Sequence, residues 1–78
     1  MVKVGTIIKV GVVFQGSKII PRWFIWESRK YEVRSLDFTW EESQGLEKII
    51  RFSVRDGINS YELAYNTIQM NWALENIC

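Results

Sequence analysis

Apolar and polar residues alternate with a period of two along most of the chain, and this alternation restricts the fold more than any other feature. Turn-forming residues interrupt it at Gly16-Ser17, Pro21, Gly45 and Asp56-Gly57. A period of two is that of a β-strand with one buried face, whereas an amphipathic helix repeats every 3.6 residues. Only segment 41–48 competes, because it fits a single helical turn. The pattern predicts an all-β fold of about six strands, near residues 4–15, 19–26, 30–40, 47–55, 58–65 and 68–76.

The length of the chain sets the scale of the fold. Seventy-eight residues, 47% of them hydrophobic, supply one core and one domain, residues 1–78. Domains of this size bury only about 60% of the surface of the unfolded chain, so a homodimer is also compatible with the sequence. Strands joined by short turns predict an antiparallel meander that forms a strongly twisted sheet or a small half-open barrel.

A two-residue turn at Asp56-Gly57 would set the register of the hairpin around it. It would place Phe52 opposite Tyr61 on one face and Arg51 opposite Glu62 on the other. Apolar partners then meet and opposite charges pair, which is what a stable hairpin needs. Such a turn requires positive φ, and Gly57 can adopt it without strain.

The same arithmetic applies to the second predicted hairpin. A turn at Ser28-Arg29 would pair Trp26 with Tyr31 on the apolar face. On the opposite face it would bring Trp23 across from Arg34, so an indole and a guanidinium would be neighbours.

Two segments do not fit a regular strand. The apolar parity of the third predicted strand switches, which predicts a bulge or sharp bend near 34–36. The run before Pro21 is predicted to be irregular, although a Gly16-Ser17 turn pairs Phe14 with Ile19.

An Asn66-Thr67 turn would pair Tyr65 with Ile68 in the last hairpin. These registers predict one core that contains Phe24, Trp26, Val33, Phe52, Val54, Tyr61, Leu63 and Trp72.

The residues that most enzymes need are missing. The chain has no histidine, so the commonest metal ligand and general base are absent. It also has no glycine-rich phosphate-binding motif and only one cysteine, Cys78. Asp37, Glu41 and Glu42 could serve as acid and base groups, but adjacent carboxylates in a loop are usually a solvated acidic turn. We therefore predict no catalytic residue, no metal site and no cofactor.

Charge and tryptophan content point to a binding surface. Residues 1–34 carry seven Lys or Arg and two Glu, a net +5, whereas residues 35–78 carry three Lys or Arg and seven Asp or Glu, a net −4. An indole among cations is how proteins hold single-stranded nucleic acid. A pI near 7.9 and the lack of an RNA-binding motif favour instead a local cation–π contact of Trp23 with Arg34. The predicted nucleic-acid or partner face comprises Arg22, Trp23, Arg29, Lys30 and Arg34.

A spaced set of residues also resembles a known family. The pattern P-x-x-F-x-W-x-x-R-x-Y-x-V begins at Pro21, and F-x-V, Y-E-L and W-x-L follow at residues 52–54, 61–63 and 72–74. It resembles a family of short uncharacterised bacterial proteins, many of which have Gly where this chain has Ser28. The resemblance implies a shared fold and carries no activity. Some members of that family accompany proteins of DNA synthesis or repair. The resemblance therefore also implies an association with these processes.

Together these features predict a small non-catalytic binding or interaction module in the cytoplasm. Its partner would be single-stranded nucleic acid, bound weakly, or another protein. The alternative is a structural homo-oligomer such as a homodimer. The longest apolar runs, such as Val12-Val13-Phe14, are far shorter than the roughly 18 residues of a membrane span, and the start of the chain does not look like a secretory signal.

Overall fold

The computed structural model describes residues 2–78, and their strands form an antiparallel sheet that curls into a half-barrel. The all-β prediction is confirmed, and no helix occurs among residues 2–78, so none of them belongs to a helix that could cross a membrane. The segment 41–48 is a hairpin rather than a helical turn. The seven strands are β1 Val2–Gln15, β2 Lys18–Trp26, β3 Arg29–Glu32, β4 Ser35–Gln44, β5 Glu47–Arg55, β6 Ser60–Asn66 and β7 Asn71–Ile77.

The order of the strands in the sheet is β3-β2-β1-β7-β6-β5-β4. All consecutive strands except β3 and β4 pair with each other, as a meander requires. The first and last strands also pair, because β1 is long enough to serve two neighbours. Its residues 2–8 pair with β7 and its residues 9–15 pair with β2. This shared strand curls the sheet around its core.

The third predicted strand is divided into β3 and β4, which is why the structure has seven strands and not six. The chain bends at Val33-Arg34. The Val33 amide donates a hydrogen bond to the carbonyl of Arg22 in β2, and the Arg34 amide donates one to the carbonyl of Arg55 in β5. The predicted bend is thus confirmed. Here the chain leaves one neighbour and joins another.

A bulge in β4 follows this bend. The pairing of β4 with β5 shifts between Leu36 and Phe38, so Asp37 is an extra residue. Leu36 packs against the core, whereas Phe38 and Trp40 lie on the outer face, 70% and 36% exposed. The parity switch seen in the sequence therefore moves two aromatic side chains out of the core.

The registers of three hairpins differ from the predicted ones by even numbers of residues. The Asp56-Gly57 turn spans four residues, 56–59, so Phe52 pairs with Leu63. The last turn spans 67–70, and Tyr65 pairs with Trp72. The second turn is Glu27-Ser28, not Ser28-Arg29, and both of its residues have positive φ. An even shift leaves every side chain on its predicted face, which explains why the predicted core survives.

Side-chain oxygens cause the longer turns. Asp56 Oδ1 accepts hydrogen bonds from the amides of Ile58 and Asn59, both at 2.8 Å. Asn66 Oδ1 makes the same two bonds, at 2.9 Å, to the amides two and three residues ahead. Each of these oxygens stabilises an Asx-type turn. The predicted registers assumed turns of two residues and therefore did not include it. Gly57 has φ of 99°, which confirms its predicted positive φ.

The first hairpin has the predicted register, with Phe14 opposite Ile19 across the Gly16-Ser17 turn. The predicted irregularity before Pro21 is wrong, because Lys18–Pro21 pair regularly with Val12–Gln15 and the pairing shifts only after Pro21, between Gly11 and Val12 of β1. Arg22 is the extra residue of β2 at this point.

The core fills the concave side of the sheet. Of the predicted core, Phe24, Phe52, Val54, Tyr61 and Leu63 are buried. The other three, Trp26, Val33 and Trp72, are half-buried and pack against them. Ile8 and Leu74 complete the cluster. The Phe24 and Tyr31 rings stack with centroids 5.0 Å apart, and Tyr61 meets Phe24 edge-on.

Candidate binding surfaces

Trp23 and Lys30 lie together on the outer face of the half of the sheet formed by β1, β2 and β3. Trp23 pairs with Gly11 of β1, and its indole covers the glycine backbone. A Cβ atom on Gly11 would lie 2.1 Å from the nearest indole carbon, so only glycine fits beneath this ring. Lys30 Nζ lies 5.3 Å from the ring centroid. The predicted cation–π contact of Trp23 with Arg34 is wrong, because the cation over the Trp23 ring is Lys30.

The residue opposite Trp23 is an acid. Trp23 pairs with Glu32, so the predicted pairing with Arg34 is wrong, because the turn begins at Glu27 instead of Ser28. Glu32 also forms an ion pair with Lys30 at 3.3 Å, with both side chains more than half exposed. The charge beside the indole is therefore partly neutralised.

Two of the three arginines of the predicted face, Arg29 and Arg34, lie away from Trp23. Arg29 lies on the core side of β3, where its Cζ is 5.5 Å from the centroid of the Tyr31 ring. Arg22 is exposed at the irregularity of β2. Arg34 reaches the turn at Gly57, whose added Cβ would lie 3.1 Å from Arg34 Cδ. The structure brings together two of the five predicted residues, Trp23 and Lys30.

The three carboxylates considered as acid and base groups lie in strand β4, so the predicted loop at Glu41 and Glu42 is wrong. Arg55 holds Asp37 through Nε, at 2.8 Å. Glu41 pairs with Lys48 at 3.0 Å, and Glu42 pairs with Arg51 at 3.2 Å. Glu41 and Glu42 alternate along the strand and so point to opposite faces. Among residues 2–78, no group of three His, Cys, Asp or Glu side chains is arranged to hold a metal ion.

Arg51 is the centre of a charge cluster on the outer face of β4 to β7. Its side chain is 14% exposed and lies within 4 Å of carboxylates of Glu42, Glu62 and Glu75. The predicted contact with Glu62 forms at 3.0 Å, although Glu62 pairs directly with Ser53. The contact is diagonal because the actual register differs from the predicted one by two residues. A shift of two residues keeps both side chains on the same face of the sheet.

A groove separates β2 from β4 on the open side of the half-barrel. We call it the seam, and it has a volume of about 550 Å³. Its floor is apolar and belongs to the core. Polar side chains stand at its rim. The floor comprises Ile19, Leu36, Ile50 and Phe52, and the rim includes Lys18, Asp37, Thr39 and Glu41.

The seam exists because β3 is short and β4 turns away from β2. β3 pairs with β2 only from Trp23 to Trp26, which leaves the edge of Lys18–Pro21 without a strand neighbour among residues 2–78. β4 is the last strand in the sheet order, so one of its edges is also free within that range. Pro21 lies on an open edge, where its missing N–H is tolerated.

The sequence carried a signal for the seam that our sequence analysis did not use. The parity switch in the third predicted strand marks a chain that leaves one neighbour and joins another. Pro21 marks an edge in the second strand. Together they locate the open side of the barrel.

Comparison with known proteins adds no relative. No protein-family model matches this chain, and no curated protein or solved structure is significantly similar to it. Any functional conclusion therefore depends on the geometry of the residues themselves.

Proposed function

We propose that this chain is a small non-catalytic interaction module whose ligand is an extended segment of polypeptide bound in the seam. The observation that carries the proposal is the position of two free strand edges, from β2 and β4, above an apolar floor. A peptide strand added to a free edge forms main-chain hydrogen bonds with it, while the pockets beside the edge select side chains.

The free edge of β4 lacks the usual protection against such pairing. It runs for ten residues, Ser35–Gln44, and contains neither lysine nor proline. Natural sheets usually protect long edges with lysine, proline or short strands, because unpaired N–H and C=O groups invite another strand. The devices that β4 does have are the bulge at Asp37 and the inward-pointing charge of Glu41.

The size of the seam fits a short strand. Five β4 residues border the seam, and they lie within the six-residue stretch 36–41, which spans about 20 Å at about 3.3 Å per residue. A peptide of about six residues would cover this length. Its inward side chains would rest on Ile50 and Phe52, the apolar centre of the floor.

Selection of random heptapeptides displayed on phage against the immobilised chain tests this proposal. We expect binders that slow amide hydrogen exchange in β4. Thr39→Arg, at the rim, should abolish their binding, whereas the matched exposed substitution Thr6→Arg, on β1, should not. Equal loss in both variants, or unchanged exchange in β4, would contradict the proposal.

A second candidate function is weak binding of single-stranded nucleic acid at Trp23 and Lys30. What supports it is the cation over the indole and the net +5 of residues 1–34. Titration of a labelled oligothymidylate at low salt tests it. We expect quenching of tryptophan fluorescence, lost as salt rises, because neutralised phosphates release counterions. Binding that survives Lys30→Gln unchanged would argue against this site.

The remaining expectations from the sequence stay proposals. We propose a cytoplasmic protein, since its single cysteine allows no intrachain disulfide. The resemblance to uncharacterised bacterial proteins likewise remains a proposal about its relatives. The structural homo-oligomer is the rival function, and its two copies would have to cover the seam or another face of the sheet.

A further inference from the structure

Two charged side chains, Glu41 and Lys18, border the seam, but they point to opposite sides of the sheet. By the register of β4 with β5, Thr39 and Glu41 lie on the concave side, opposite Phe52 and Ile50. Lys18 borders the same seam, but it alternates with Ile19, which packs against the core, and so points to the outer face of β2. An inward side chain of a bound strand would therefore meet Glu41 without meeting Lys18.

The carboxylate of Glu41 is available to a ligand. Its partner is Lys48, at 3.0 Å, and the two side chains are 51% and 56% exposed. Such a solvated pair contributes little stability and can be shared with another cation. Asp37, by contrast, is held by two nitrogens of Arg55 and by the hydroxyl of Ser35.

The direction of a bound strand follows from the lengths of the two free edges. β4 offers ten residues, whereas β2 offers only Lys18–Pro21. β2 and β4 run in opposite directions, because five antiparallel steps separate them around the sheet. A single strand between them is antiparallel to only one. Antiparallel pairing is slightly more stable per residue, so the longer edge of β4 decides the direction.

We propose, on the basis of the proposed function, that the seam selects a strand that runs antiparallel to β4 and carries a basic residue ahead of two apolar ones. Leu36 packs against the core, whereas the half-exposed Glu41 lies five residues further along β4. In an antiparallel ligand the residue facing Glu41 comes first, and the residues two and four positions later face the apolar floor. The recognised pattern is therefore basic-x-apolar-x-apolar.

The charge of β4 also favours a strand from another protein over a second copy of this chain as the occupant of the seam. β4 contains Asp37, Glu41 and Glu42 and no cation. Two antiparallel copies of β4 would bring only carboxylates to each other, so no register gives an opposite-charge pair across the contact. A basic strand from another protein gives such a pair.

Two blocked peptides of identical composition test the proposal, Lys-Thr-Val-Thr-Val and its reverse, Val-Thr-Val-Thr-Lys. We expect the forward peptide to bind about threefold to fivefold more tightly at low salt, the effect of one cross-strand ion pair. Glu41→Gln should remove the difference. Glu42→Gln, on the neighbouring residue of the opposite face, should leave it unchanged.

The outcomes separate the two proposals. If neither peptide binds and phage selection yields no seam ligand, the proposed function fails. If both peptides bind equally, or if Glu42→Gln acts as Glu41→Gln does, the seam binds strands but the inferred charge and direction are wrong. If the chain alone sediments as a dimer that Thr39→Arg dissociates, the occupant is a second copy and the inference is overturned.

Discussion

At the residue scale, Trp23 illustrates how position decides the role of an aromatic side chain. Its indole lies over Gly11, and its outer surface faces Lys30. The ring therefore stabilises the pairing of β1 with β2 whether or not it also contacts a ligand. A loss of nucleic-acid binding in Trp23→Ala would have to be separated from a loss of folding.

We predict that Gly11→Ala destabilises the protein by about 1–3 kcal/mol, because a methyl group would overlap the indole. In a Trp23→Ala background the same substitution should cost much less, since the overlapping ring is gone. Urea unfolding of the two single variants and the double variant measures this coupling. Additive effects would show that Gly11 is required for another reason.

Asp56 is the residue whose ionisation should affect stability most directly. Burial raises its pKa, but hydrogen bonds from the amides of Asn59 and Ile58 and from the Tyr61 hydroxyl outweigh this and lower it. A lowered pKa in the folded state stabilises the fold at pH values above the unfolded pKa of 3.8. That contribution is lost as the pH falls through the folded pKa.

We therefore predict that Asp56→Asn reduces the loss of stability between about pH 5 and about pH 2, because asparagine can still accept the amide hydrogen bonds but does not titrate. Urea unfolding across this range provides the measurement. Glu27→Gln, in another exposed turn, removes one carboxylate without touching the Asp56 turn and serves as the control. An unchanged slope in Asp56→Asn would exclude this role.

At the scale of the elements, turn chemistry explains both the successes and the errors of the sequence analysis. The Gly16-Ser17 hairpin was predicted correctly because glycine occupies a position of positive φ, 62°. The Asp56 and Asn66 turns are longer than predicted, because their side chains replace main-chain hydrogen bonds. A sequence shows that such an acceptor is present, but not how many residues the turn includes.

The Glu27-Ser28 turn should be strained, because φ is 52° at Glu27 and 62° at Ser28, values that side chains with a Cβ disfavour. We predict that Ser28→Gly stabilises the fold by about 0.5–1 kcal/mol by removing this strain. Thermal and urea unfolding measure the change. Ser17→Gly is a matched control, because it changes the turn residue after Gly16. If Ser28→Gly destabilises the fold, the added flexibility of glycine in the unfolded chain outweighs the relief of strain in the turn.

At the scale of the whole molecule, pairing of β1 with β7 closes one side of the barrel and leaves the seam open on the other. Val2 pairs with Ile77, so the two ends of the described chain are adjacent. The ends can therefore be joined and the chain opened at a turn. The stability of such a variant should depend mainly on whether the strands beside the opened turn still pair.

We predict that a circular permutant folds when residue 78 is joined to residue 1 by Asn-Gly and the chain is opened at Gly45-Leu46, where Leu46 is fully exposed. A permutant opened at Gly57-Ile58 should be less stable, because the opening interrupts the hydrogen bonds of Asp56. Unfolding by urea ranks the two. Equal stability would show that the Asp56 turn contributes little.

The strand positions, the face on which each side chain lies and most of the core could be predicted from the sequence. These follow from a period of two, which survives an error of two or four residues in register. The sequence also located the bend that divides β3 from β4. Local alternation and local turn residues contain all of this information.

Three features could not be predicted without the three-dimensional structure: the pairing of β1 with β7, the separation of Arg29 and Arg34 from Trp23, and the seam between β2 and β4. Each depends on which distant strands become neighbours. That choice is made by the burial of one shared apolar surface, which is non-directional, so the alternation along the chain does not show which strands become neighbours. The predicted binding face was a set of residues close in sequence, whereas the seam joins two edges that are distant in the order of the sheet.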